Sequence, residues 1–247
     1  MSKQRHVPSL VLERIARSRS EDELVVVGID EVGTGALAGP VVVGAVAFED
    51  DESKLPIAVR DSKLLNSNKR LELLPQIMKA AILVGIGIVT PEEIDSKGMA
   101  HARELAIIRA YKDAKKRYSG PRVVAVVDGR NLKKMRKKLG GPCAVFADRA
   151  DQKSYSVAAA SIVAKVTRDS MMIDLAKTYK NYGFESNKGY GTNQHLTGLT
   201  QFGPCKIHRL TTRPVRKVMQ SRADKKALAE VEAEEKQRKS EKEPISG

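Results

Sequence analysis

Apolar residues fall along the chain in short blocks separated by turn-forming and charged stretches, and the blocks predict strands first, then strands alternating with helices. Residues 24–29 and 40–48 are nearly continuous apolar, β-branched runs of strand length, the pattern of buried strands. Residues 67–80 switch to helical spacing, 82–89 return to a strand pattern, and 91–118 read as a long helix. Short strands at 123–127 and 144–147 precede a second long helix at 156–180, with shorter helical pieces beyond. This order predicts an α/β domain, a central mixed β-sheet flanked by helices, with a helical C-terminal region. Residues 1–23 read as an N-terminal extension, 24–221 as one domain of catalytic size, and 222–247 as a charged tail, helical or disordered.

The acids that interrupt this pattern carry the chemistry. Asp30 and Glu31 follow the first strand directly and precede Val32-Gly33-Thr34-Gly35. One such pair reads most simply as strand-end carboxylates turned to water before a glycine turn. The arrangement recurs, however: the strand at 123–127 ends in Asp128-Gly129, and the one at 144–147 leads through Asp148 to Asp151. A carboxylate at the end of a buried strand is costly without a partner, and a shared divalent cation satisfies several at once. In α/β sheets, binding sites gather at the strand ends.

Charge narrows the class of substrate. The chain of 247 residues carries a net charge of +14, which favours a polyanionic partner. The tail balances basic against acidic residues, so the excess belongs to the body. Acids collected on a cationic protein suit a metal-dependent enzyme acting on nucleic acid. Two metals can activate water, neutralise phosphoryl oxygens and ease departure of an alkoxide, and hard oxygen ligands select Mg²⁺ or Mn²⁺. Cys143 and Cys205 have neither metal-ligand spacing nor the density of a disulfide scaffold, and four scattered histidines suggest no zinc site. With no apolar run near the ~20 residues that span a bilayer and no signal-peptide pattern, a cytosolic protein is expected.

The residues also resemble a known family. Asp30-Glu31-Val32-Gly33-Thr34-Gly35-Ala36-Leu37-Ala38-Gly39-Pro40 is similar to the opening signature of type 2 ribonucleases H, and Asp61-Ser62-Lys63-Leu64-Leu65 to their next block. Val127-Asp128-Gly129, then Asp151 with the segment Ser156 to Asp169, then Lys188-Gly189-Tyr190-Gly191-Thr192, match the remaining blocks in order across residues 24–218. The resemblance implies a ribonuclease H-like fold and endonucleolytic cleavage of the RNA strand of RNA/DNA hybrids, and of ribonucleotides embedded in duplex DNA, leaving 5′-phosphate and 3′-hydroxyl ends. It implies two Mg²⁺ or Mn²⁺ ions held by Asp30, Glu31, Asp128 and Asp151, in a monomer. Asp151 is preferred to Asp148 because it stands ten residues before Ser161, as the family's fourth acid does. By the same carry-over, the main chain of Gly33, Thr34 and Gly35 holds the ribose, Tyr190 stacks on the sugar beyond the cut, and Lys63, Lys165 and Arg168 contact phosphate.

One position departs from the pattern. The HII branch of the family usually carries arginine where this chain has Thr34, and Gly-Thr-Gly is typical of the HIII branch. Asp151, Tyr190 and the lack of a substrate-binding domain before residue 24 side with HII. Two other readings compete: a non-catalytic nucleic-acid-binding protein whose acids cap strands, and a different nuclease of the same fold.

Overall fold

The computed structural model describes residues 8–55, 59, 65–116, 118–129 and 132–240. Five strands form one mixed sheet in the order β3-β2-β1-β4-β5: β1 (Leu24–Val32), β2 (Val41–Ala47), β3 (Leu83–Val89), β4 (Arg122–Asp128) and β5 (Val145–Ala147). β2 runs antiparallel to β1 and β3, whereas β1, β4 and β5 are parallel. β1 and β2 are buried almost throughout, which is why they read as unbroken apolar runs rather than as alternating ones.

Helices cover both faces. α3 (Pro91–Lys97) and α4 (Met99–Lys115) lie on one face, where Val25, Val27, Ile29 and Val43 pack against Ala102, Ala106 and Ile107. The single helix expected over 91–118 is therefore two, because Gly98 takes φ +78°, which no helix can continue through. On the opposite face α5 (Tyr155–Thr178) crosses β1 and β2 and is joined by α2 (Ser67–Ala80). α5 lies almost on the sheet backbone: a Cβ at Gly28 would stand 2.2 Å from the main chain of Ser156 and Val157, and one at Gly44 would stand 2.3 Å from the Ala160 carbonyl. Short α6 (Phe184–Asn187), α7 (Asn193–Phe202) and long α8 (Arg213–Ser240) complete the chain. Among the described residues no helix is long and apolar enough to cross a membrane.

A further helix, α1 (Val11–Arg17), lies in the stretch read from sequence as an extension and packs against the sheet. Leu10 and Ala16 are buried, and the carboxylate of Glu13 is buried at the start of α5. There Glu13 accepts from the hydroxyl of Ser154 (2.6 Å) and from the backbone N–H (2.9 Å) and hydroxyl (2.6 Å) of Ser156. A carboxylate at a helix N-terminus also complements the helix dipole.

Candidate active site

The strand pairing brings the acids together. β1 and β4 are neighbours with Ile29 opposite Val127, so Asp30 and Asp128 stand one step further along adjacent parallel strands. Asp128 in turn pairs with Ala147 of β5, whose chain returns through a tight turn carrying Asp151 into α5. β1 runs on to Val32, so Asp30 and Glu31 lie inside the strand rather than beyond its end. Successive side chains of a strand face opposite ways. Asp30 lies opposite Gly44 and shares its face with α5, whereas Glu31 lies opposite Val43 and shares its face with α4.

Each acid accordingly has its own surroundings. Asp30 is buried, and that burial pushes its carboxyl well above the ordinary aspartate range; the charges of Glu31, Asp128 and Asp151 push the same way, against a hydrogen bond from Ser161. Its Oδ1 also accepts from the backbone N–H of Glu31 at 2.9 Å. Burial raises Glu31 too, and Arg103 of α4 opposes this with its Nε 2.7 Å from Glu31 Oε1. The carboxylate of Asp128 accepts from the N–H of Ala150 at 2.7 Å, which ties β4 to the turn holding Asp151. Asp151 is fully buried and within electrostatic range of Asp30. Asp148, the rival, is partly exposed.

Asp30, Glu31 and Asp128 open into a cleft of about 330 Å³ whose rim includes Gly33, Thr34, Lys165 and Tyr190. Gly33 holds φ +92°, and a Cβ there would stand 2.2 Å from Arg168 Nε, so the turn passes too close to Arg168 for any other residue. Gly35 is exposed with open space around it. Lys165 is paired with Asp169 at 2.7 Å and lies 5.9 Å from the centroid of the Tyr190 ring. Lys63 lies outside the described residues.

Arg168, expected from the resemblance at a phosphate, is built into the wall of the cleft. Its guanidinium is fully buried and donates to the carbonyls of Pro40 (2.9 Å), Lys188 (2.9 Å) and Ala38 (3.1 Å), so it braces the main chain. It backs the cleft indirectly, 5.3 Å behind the Tyr190 ring. Arg209, which sequence reasoning missed, is its counterpart: it donates to the carbonyls of Gly39 (2.9 Å), Ala36 (2.9 Å), Pro40 (3.1 Å) and Thr34 (3.2 Å). Ser161 and Arg70, which also line the cleft, and Arg103, which pairs with Glu31, were missed as well. Of these only Ser161 carried a signal, as a polar residue inside the alanine-rich stretch of α5.

The donor set fits hard divalent cations, since four carboxylates from three segments, β1, β4 and the turn before α5, gather at one end of the sheet, where burial and the other acids raise the cost of charging Asp30. As the side chains stand, no three His, Cys, Asp or Glu residues among the described residues are grouped closely enough to enclose an ion. The reason is visible in the pairs above: Glu31 is turned to Arg103 and Asp128 to the Ala150 N–H.

The family model described as Ribonuclease HII matches residues 27–215. Ribonuclease HII of Pseudothermotoga lettingae is 45% identical over 190 residues, covering 77% of this chain and 78% of that protein. The crystal structure of ribonuclease H2 from Pyrococcus horikoshii OT3 superposes with a TM-score of 0.68 at 27% identity, over 80% of this chain and 98% of that one. Bst-RNase HIII in complex with Mn²⁺ shares the fold at 18% identity, with a TM-score of 0.62 over 83% and 71% of the two chains.

Proposed function

The chain belongs to the ribonuclease HII family, and we propose that Asp30, Glu31, Asp128 and Asp151 carry out that family's reaction here. The activity itself is that of an endoribonuclease acting on RNA/DNA hybrids. Members of the family need divalent metal ions. In this chain the four carboxylates would hold them, two Mg²⁺ or Mn²⁺ ions when substrate is bound. Such ions activate water and stabilise the charge that gathers on a phosphoryl group and its leaving oxygen.

The observation that carries the assignment is the placement of Asp30, which stands beside Asp128 on adjacent parallel strands with its carboxyl raised by burial first and then by Glu31, Asp128 and Asp151. A folded protein keeps such a cluster when a ligand repays its cost. Around it the chain's own groups orient the site. Ser161 and the Glu31 N–H fix the Asp30 carboxylate, and the Ala150 N–H fixes Asp128. The main chain at 33–35, braced from behind by Arg168 and Arg209, is narrow enough to approach a ribose and read its 2′-hydroxyl. Tyr190 presents a ring at the cleft edge for the sugar beyond the cut, and Lys165 supplies positive charge toward the backbone. Cleavage on this reading leaves a 5′-phosphate and a 3′-hydroxyl, and extends to single ribonucleotides within duplex DNA.

The test uses three end-labelled duplexes, an RNA/DNA hybrid, a DNA duplex with one ribonucleotide and an all-DNA duplex, each with EDTA, Mg²⁺ or Mn²⁺. Metal-dependent scission of the first two and not the third supports the reading. Binding in EDTA with no scission in either metal would mean that the acids only cap strands.

A further inference from the structure

We propose that Arg103 is a built-in counter-cation of the carboxylate cleft, which competes with divalent metal for Glu31 and so sets how tightly the site binds ions. The inference rests on the metal reading above and adds a residue that reading does not use.

Three observations support it. First, Arg103 reaches both acid-bearing strands from α4: its Nε is 2.7 Å from Glu31 Oε1, and its Nη2 donates to the main-chain carbonyl of Asp128 at 3.1 Å. One guanidinium therefore ties β1 to β4 at the step where their acids stand side by side. Second, the pair is largely shielded, with side-chain exposures of 24% and 13%, so it is screened by solvent far less than a surface pair. Third, strand alternation puts Glu31 on the α4 face while Asp30 lies on the α5 face, and no ready-made cluster of three ligands exists among the described residues. For Glu31 to join a metal with Asp30, its carboxylate must turn from Arg103 toward the strand end. Metal binding is then an exchange of one cation for another, and Arg103 keeps the metal-free cleft from accumulating uncompensated charge.

The prediction concerns binding and needs no substrate. Isothermal titration of the full chain with MnCl₂ at pH 7 and low salt is compared for wild type, Arg103→Met, Arg103→Lys, and each of these with Glu31→Gln. Arg103→Met is expected to bind Mn²⁺ about three- to tenfold more tightly and to melt at a lower temperature than wild type when metal-free. Arg103→Lys keeps the charge but cannot span both partners, so it is expected to fall between the two, and it carries the test if Arg103→Met does not fold. In the Glu31→Gln background the tightening should vanish, which a merely structural role of Arg103 would not produce. Unchanged or weaker Mn²⁺ affinity in both Arg103 variants, or tightening that survives Glu31→Gln, overturns the proposal while leaving the metal site intact. A wild-type chain that binds no Mn²⁺ removes the metal site itself, and this inference with it.

Discussion

His195 Nε2 lies 3.0 Å from His208 Nε2, both rings buried beside Tyr182 and Phe184. The neighbours assign the protons. His208 Nδ1 accepts from the backbone N–H of Cys205 at 2.9 Å, so its proton sits on Nε2 and is donated to His195. His195 then holds its own proton on Nδ1 and donates it to the Tyr190 carbonyl, 2.9 Å away. Two neutral imidazoles thus form one directed chain that fixes the backbone of the tyrosine at the cleft.

This chain predicts an acid-sensitive fold. Burial, and for His208 the neighbouring His195, lower both histidines, His208 to about 4. The unfolded chain takes up these protons below pH ~6.5, whereas the folded chain resists both, His208 down to about 4, so the pair's contribution is complete above ~6.5 and is lost as pH falls below it. Urea melts between pH 7 and 4 should show stability declining across that window, with a shallower decline in His208→Gln. Equal slopes for the two proteins would exclude the pair as the cause.

Asp30 has the opposite sign. Its raised carboxyl binds a proton more readily folded than unfolded, so as pH rises above the ordinary aspartate value its charge destabilises the metal-free protein. Asp30→Asn should therefore raise the metal-free melting temperature at pH 7 by roughly 2–4 °C, the effect of about 1 kcal/mol on a chain this size. Millimolar Mg²⁺ should stabilise wild type and do so less in the variant, while hybrid cleavage is abolished. Scanning calorimetry and a cleavage assay read both.

Asp151 and Asp148 can be separated directly. Loss of the buried Asp151 carboxylate should lower kcat by at least ~10²-fold, on the scale of removing one preorganised electrostatic contact. Asp148→Asn should stay within a few-fold of wild type, because its side chain is partly exposed where that of Asp151 is fully buried. Single-turnover cleavage of a hybrid duplex distinguishes them, and reversed effects would reassign the fourth acid.

Thr34 faces the cleft from a loop whose carbonyls are gripped by Arg209. Replacing it with arginine adds a cation where the cut backbone would run, so Thr34→Arg should improve cleavage at a single embedded ribonucleotide more than cleavage of a long hybrid. The ratio of kcat/KM on the two substrates is the measurement. A ratio equal to that of wild type would show that this position does not govern the preference.

The close seat of α5 predicts intolerance at Gly44. A methyl group there would meet the Ala160 carbonyl at 2.3 Å, and backbone cannot step aside as a side-chain tip can. Gly44→Ala should cost ~1–3 kcal/mol or more in a denaturant melt and lower activity through displaced Ser161 and Lys165. An unchanged midpoint would show that the helix shifts freely.

The alternation of apolar runs and acids made the sheet and its carboxylates legible, because a strand buried on both faces and one buried on a single face differ in period. Placing the end of β1 at Ile29 instead of Val32 concealed that Asp30 and Glu31 face opposite sides. α1 escaped because a seven-residue helix anchored by Leu10, Glu13 and Ala16 is too short to show a period. Arg103, Arg168 and Arg209 look alike in sequence. Only tertiary approach decides that the first meets a carboxylate and the other two meet carbonyls.

The seam between β1 and β4 joins stretches of polypeptide far apart in the sequence, at the step that carries Asp30 and Asp128. Non-local pairing of this kind forms late and slowly, since a long loop must close before any contact rewards it. A nascent or partly opened chain therefore has its acids dispersed. Nuclease competence should arise only on completion of folding, and transient parting of that seam should silence the enzyme well before it denatures.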